Sequence, residues 1–199
     1  MTEIEAVLIG GGSAVIGGLV SGFYQHVRDS YNRPLLHMDY RGDATNKISS
    51  THETSDGTLA SNVFIKVRVK NRGHLTAKGC RVFLASLTKV LPSERQPTVL
   101  LDSKQLAWAG VNFLPRDIPK GVNFYVDLVN VSKLPGKKGW HFFIEPGLFG
   151  EQMEIERYQG TYHFSLVVTS DNAEPATCGV DVTYNGNWED LSAAAAGTI

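Results

Sequence analysis

The pattern of apolar and polar positions divides the chain into two unlike parts. From Ala6 to Tyr24 (AVLIGGGSAVIGGLVSGFY) nineteen residues pass without a charge. That is close to the length a helix needs to cross the hydrocarbon core of a bilayer. From Pro34 onward, short apolar runs are punctuated by Gly, Pro, Asn and Asp, with no helical period, which is the pattern of a β-sandwich or barrel. Strands are expected over Leu35 to Tyr40, Asn62 to Asn71, Gly79 to Lys89, Gln105 to Ala109, Asn123 to Val131, Trp140 to Ile144, Thr161 to Ser170 and Ala176 to Tyr184. The expected organisation is therefore a membrane anchor helix over residues 1–30, one β-sandwich over 31–191 and a tail over 192–199. The tail, LSAAAAGTI from Leu191, reads as a short frayed helix or as nothing ordered.

Within the strands the alternation is sharp. Val63, Ile65, Val67 and Val69 point one way while Lys66, Arg68 and Lys70 point the other, so one face packs and the other is wetted. Tyr162, Phe164, Leu166 and Val168 alternate with His163, Ser165 and Thr169. Cys178, Val180, Val182 and Tyr184 make the inner set of the following strand, and Ser170 to Pro175 (SDNAEP) is a turn by composition, so the two strands form a closing hairpin. Thr45 to Ser61 (TNKISSTHETSDGTLAS) is polar and poor in bulky residues, and reads as an exposed loop.

In the N-terminal segment Ala6, Gly10, Ala14, Gly18 and Gly22 recur every four residues, a small-residue stripe that lets two helices in lipid approach closely. Three other readings compete with a span. A signal peptide needs a basic leading region, and Met1 to Glu5 has Glu3 and Glu5 but no Lys or Arg. A dinucleotide-binding turn would need glycine where Val15 stands and an alternation of strands and helices that the chain lacks. A glycine-rich helix buried against a partner subunit would leave the protein complexed but not embedded. No basic residue precedes the span, whereas Arg28, Arg33 and Arg41 follow it, which places the β domain in the cytoplasm.

VRVKNRGHLTAKGCRVFL (Val67 to Leu84) resembles the strand, Asn-x-Gly turn and strand of CARDB-like and related immunoglobulin-like or fibronectin-like bacterial adhesion and envelope domains. The resemblance implies that Asn71 and Gly73 shape the turn and that Ala77 lets the chain cross to the facing sheet. Folds of that kind serve mostly as spacers and binding modules. The whole chain also resembles uncharacterised bacterial proteins with one N-terminal span before a similar sandwich.

Composition changes this picture little. The chain has 199 residues, 42% hydrophobic and 20% charged, with a formal net charge of −1, so no overall excess of charge draws it to nucleic acid. Two cysteines, Cys80 and Cys178, are too few for a disulfide scaffold, and both fall in the apolar phase of their strands. His26, His37, His52, His74, His141 and His163 are scattered without metal-ligand spacing, and no nucleophile motif appears. Glu151, Glu154, Glu156, Glu189 and Asp190 read as a solvated acidic edge, and Trp108, Trp140 and Trp188 as lids on the sandwich.

The one surface feature with a functional reading is basic. Lys66, Arg68, Lys70, Arg72, Lys78 and Arg81 fall in a single expected hairpin with His74 at its tip, and could lay the domain flat on an anionic leaflet or meet a partner. The competing explanation is an ordinary solvated face whose lysines discourage edge pairing. The sequence thus points to a single-pass membrane protein whose non-catalytic sandwich binds or organises another protein, with lipid and a second helix as partners. No cofactor, metal or nucleic acid is expected. The rival is an envelope-facing enzyme or carbohydrate-binding domain held by the same helix.

Overall fold

A computed structural model describes residues 23–25, 32–53, 57, 59–90, 103–109, 113–133, 141–144, 153–154, 159–186 and 190–196. Their strands are β1 (Leu36–Asp39), β2 (Lys47–Glu53), β3 (Leu59–Asn71), β4 (Ala77–Val90), β5 (Lys104–Leu106) and β6 (Arg116–Ile118). They continue with β7 (Asn123–Lys133), β8 (His141–Ile144), β9 (Met153–Glu154), β10 (Gly160–Thr169), β11 (Ala176–Tyr184) and β12 (Ser192–Ala195). Two antiparallel sheets result. The first runs β1-β3-β7-β8-β9, with β2 also paired to β3; the second runs β12-β11-β10-β4-β5, with β6 also paired to β4.

The alternation in the sequence explains this layering. Val63, Ile65, Val67 and Val69 of β3 are buried beside Val126, Val129 and Val131 of β7. They face Val82, Leu84 and Leu87 of β4, and Phe164, Leu166, Val180 and Val182 of the β10–β11 hairpin, in one core. Each such side chain contributes about 1.5–3 kcal/mol by leaving water. Trp108 closes the core as the sequence suggested: it is buried, bridges to Val126 and meets the Phe124 ring edge-on at 6.0 Å between centroids. Trp140 and Trp188 lie outside the described residues.

The β10–β11 hairpin is as expected, pairing Val168 with Ala176 across the turn. Three expectations are corrected. Thr45 to Ser61 is not a loop throughout, because Lys47–Glu53 pairs along the first half of β3 as β2. Ser192–Ala195 is neither a frayed helix nor unordered: it hydrogen-bonds to β11 as an edge strand, preceded by the buried Leu191. Finally, β3 and β4 are not partners in one hairpin but lie in opposite sheets, so the chain between them is a crossover.

Asn71 and Gly73 make that crossover. Asn71 is buried, and its Oδ1 accepts from the amides of Leu35 (3.0 Å) and Gly73 (2.9 Å). Its Nδ2 donates to the carbonyls of Leu75 (2.6 Å) and Ile118 (3.0 Å). A Cβ on Gly73 would lie 2.3 Å from the Leu35 nitrogen and 2.4 Å from the Arg33 oxygen, so only glycine lets these backbones touch. Ala77 is fully buried where the chain enters the second sheet.

The anchor and its stripe, Ala6, Gly10, Ala14, Gly18 and Gly22, lie outside the described residues. Among the described residues no helix is long and apolar enough to cross a membrane.

Candidate functional site

The outer face of the first sheet carries the basic side chains of β3, and the structure distributes them by the carboxylates opposite. Register sets Asp39 of β1 beside Arg68, and Asp127 and Tyr125 of β7 beside Lys66 and Arg68. Arg68 Nε donates to Asp39 Oδ1 at 2.7 Å and Nη2 donates to Oδ2, a two-pronged pair whose side chains are only 10% and 22% exposed. His37 Nε2 lies 3.5 Å and Arg41 Nε 3.4 Å from the same carboxylate. Burial pushes the Asp39 carboxyl up, but Arg68, then His37 and Arg41, together hold it below the ordinary carboxylate range. The same pairing raises Arg68 further, so it stays charged.

Lys66 Nζ stands 3.3 Å from Asp127 and over the Phe64 ring at 5.5 Å. Lys66 and Arg68 are thus held in cross-strand pairs on a half-covered face. Lys70 is half-buried opposite His37 and Asn123. Arg72 is exposed in the crossover, and Lys78 and Arg81 are exposed on β4 in the other sheet. The structure therefore does not bring the six cations into one patch.

A second constellation was not singled out from the sequence. On the outer face of the second sheet His163 Nδ1 donates to Asp181 Oδ1 at 2.7 Å, with Thr161 and Thr183 bonded alongside at 2.8 Å. A Cβ on Gly179 would stand 3.1 Å from the His163 ring, so the missing side chain makes room for the imidazole. An open groove of about 520 Å³ passes here, lined by Asp39, Tyr40, His163, Ser165, Cys178 and Gly179 among others. The signal lay in the hairpin: a turn centred on residue 172 sets His163 opposite Asp181.

Both thiols are free. Burial first, then Asp117 and Asp171, pushes Cys80 up to about 11. Burial first, then Asp39, pushes Cys178 up to about 11. Such thiols behave as small apolar side chains, opposite in tuning to a nucleophile. Among the described residues no three His, Cys, Asp or Glu side chains gather as metal ligands.

The remaining buried polar groups bind the fold to itself. Asn46 Nδ2 donates to the Lys66 carbonyl at 2.7 Å, Gln105 Nε2 to the Phe113 carbonyl, and Ser132 Oγ to Asn130 Oδ1 at 2.9 Å. The class defined by these features is an all-β sandwich of two antiparallel sheets. No family model, curated protein or solved structure matches the chain.

Proposed function

We propose that this chain is a single-pass membrane protein whose sandwich is a non-catalytic module of immunoglobulin-like or fibronectin-like type, which binds or organises another protein at the membrane. The observation that carries the reading is how the described polar residues are used. Asn46, Arg68, Asn71 and Gln105 are buried, and each ties strand to strand or strand to loop. Both thiols are tuned away from reactivity. The strand order supports the finer fold assignment, since β1-β3-β7 against β5-β4-β10-β11 follows the order of such sandwiches. The nineteen uncharged residues from Ala6 to Tyr24 support the tether, and the stripe from Ala6 to Gly22 supports self-association or a partner helix. The basic residues after the span support a cytoplasmic sandwich.

The rival, an envelope-facing enzyme or carbohydrate-binding domain, draws on the groove beside His163 and Asp181. Fusing a reporter after Ile199 separates the two. Cytoplasmic fluorescence is expected, whereas an active alkaline phosphatase fusion would favour the rival. Replacing Gly18 and Gly22 by leucine should abolish self-association in a membrane two-hybrid assay, and an unchanged signal would remove the stripe from the reading.

A further inference from the structure

The hydrogen bonds of Asn71 gather three segments at one end of the sandwich. They are residues 33–35 before β1, 72–76 in the crossover and 118–122 from the last residue of β6 to the start of β7. Backbone bonds reinforce the junction: the Arg72 amide donates to the Leu35 carbonyl at 2.8 Å, and the Gly121 amide to the Asn71 carbonyl at 2.9 Å. The side chains left outward are of two kinds only. Leu35 is 53% exposed, Leu75 54% and Val122 41%, although each is a large apolar residue. Arg33, Arg72, His74 and Lys120 are exposed among them, and Lys120 Nζ donates to His74 Nδ1 across 3.1 Å. None of the three segments contains an Asp or a Glu. On neighbouring elements Asp117 accepts from the Gly79 amide of β4, and Asp171 and Glu174 sit in the β10–β11 turn of the second sheet.

Exposed leucines rimmed by cations match the interfacial layer of an anionic bilayer. There apolar side chains enter the acyl boundary, and each Lys or Arg near the surface gains attraction from lipid phosphates. Chain connectivity points the same way. The uncharged stretch ends at Tyr24, and the eleven steps from there to Leu35 reach at most about 40 Å. This end of the sandwich therefore stays within that distance of the point where the stretch ends.

We propose that this end is a docking surface for an anionic lipid bilayer. The sandwich stands on its end, with Leu35, Leu75 and Val122 in the interface, and Arg33, Arg72 and Lys120 on the headgroups. The proposal deepens the membrane reading above and rests on it for the proximity of the bilayer. It replaces the flat orientation expected from the β3 cations, since Lys66 and Arg68 face their own carboxylates.

The test uses the full chain with Leu75→Cys carrying an environment-sensitive fluorophore. Labelling at neutral pH favours the introduced thiol, because Cys80 and Cys178 stay protonated. The chain is incorporated into vesicles of phosphatidylcholine alone or mixed with phosphatidylglycerol, and a probe at the exposed Ala85 serves as control. The expected result is a blue shift and a severalfold brighter emission at position 75 with phosphatidylglycerol only, and no change at position 85. Arg72→Glu with Lys120→Glu should remove the shift, each lost cation lowering the docked population by about fivefold. A probe at 75 that keeps its aqueous spectrum, while the chain still pellets with the vesicles through a carbonate wash, would overturn the docking surface and leave the tether intact. A chain stripped by carbonate whose probe nevertheless shifts with phosphatidylglycerol would keep the docking surface and remove the tether. A shift that needs no lipid and grows with protein concentration would assign the patch to a second copy of the chain and overturn the proposal.

Discussion

Asn71 holds four backbone groups from three segments of the chain, and its burial leaves water no access to replace it. Each buried group left unmade costs about 1–3 kcal/mol. Asn71→Ala should therefore lower the unfolding free energy by at least ~3 kcal/mol in a urea titration, far more than Arg81→Ala on the exposed face. Asn71→Asp should not rescue it, since a carboxylate cannot donate to the Leu75 and Ile118 carbonyls.

Two pH effects also belong to single residues. The Asp39 carboxyl is held low in the fold, so its contribution is complete above the unfolded-state value, about 4. It is lost as pH falls through the lower folded value. The stability of Asp39→Asn should accordingly change less than that of the parent between about pH 5 and pH 2, as followed by circular dichroism. The cysteines act at the other end. Their folded values stand near 11 against an ordinary 9.0, so the thiols stabilise the fold below 9 and that contribution is lost as pH rises through about 11. Melting temperatures measured from pH 8 to about 11 should fall less steeply for Cys80→Ala with Cys178→Ala than for the parent. Equal slopes would contradict the raised values of the two thiols. Tyr40 and Tyr184, raised first by burial, leave a residual alkaline slope in both proteins.

At the scale of the element, β3, β10 and β11 were legible because long period-two alternation names both the strand and its buried face. The edge strands β2 and β12 were not, although the short edge strands β1 and β5 fall where the sequence expects them. β2 is KISSTHE, with Ile48 its single aliphatic residue and that one exposed. It forms because β3, at thirteen residues, offers an edge that β1 covers only near its end. β12 is SAAA, a sequence with high intrinsic helix propensity, and pairing with β11 overrides it. Leu191 fixes that strand: it is buried, and Lys47 Nζ donates to its carbonyl at 2.8 Å. Leu191→Ala should cost about 2–4 kcal/mol in thermal or urea unfolding. A neutral effect would mean that the C-terminal segment is a loose tail after all.

Site geometry was legible only where a local turn sets the register. The His163–Asp181 pair follows from the position of the β10–β11 turn. The Asp39–Arg68 pair does not, because β1 and β3 are separated by all of β2 and nothing local fixes which residues meet. For the same reason the cations of β3 and β4 look like one patch along the chain, yet lie on two sheets in space.

For the whole molecule, the described residues form a sandwich whose buried polar groups serve the fold, and whose cation-rimmed apolar end lies where the chain arrives from its uncharged N-terminal stretch. Tethering by that stretch is the central claim, since orientation, helix pairing and lipid docking all presuppose a bilayer nearby. Six glycines among its nineteen residues weaken a helix in water, but in lipid an unsatisfied backbone amide is the larger penalty. The most direct measurement is alkaline carbonate extraction of membranes from cells producing the full chain. Retention in the membrane pellet, reversed when Ile9, Val15 and Leu19 are replaced by lysine, is the expected result. Full release of the unaltered chain into the supernatant would contradict the tether.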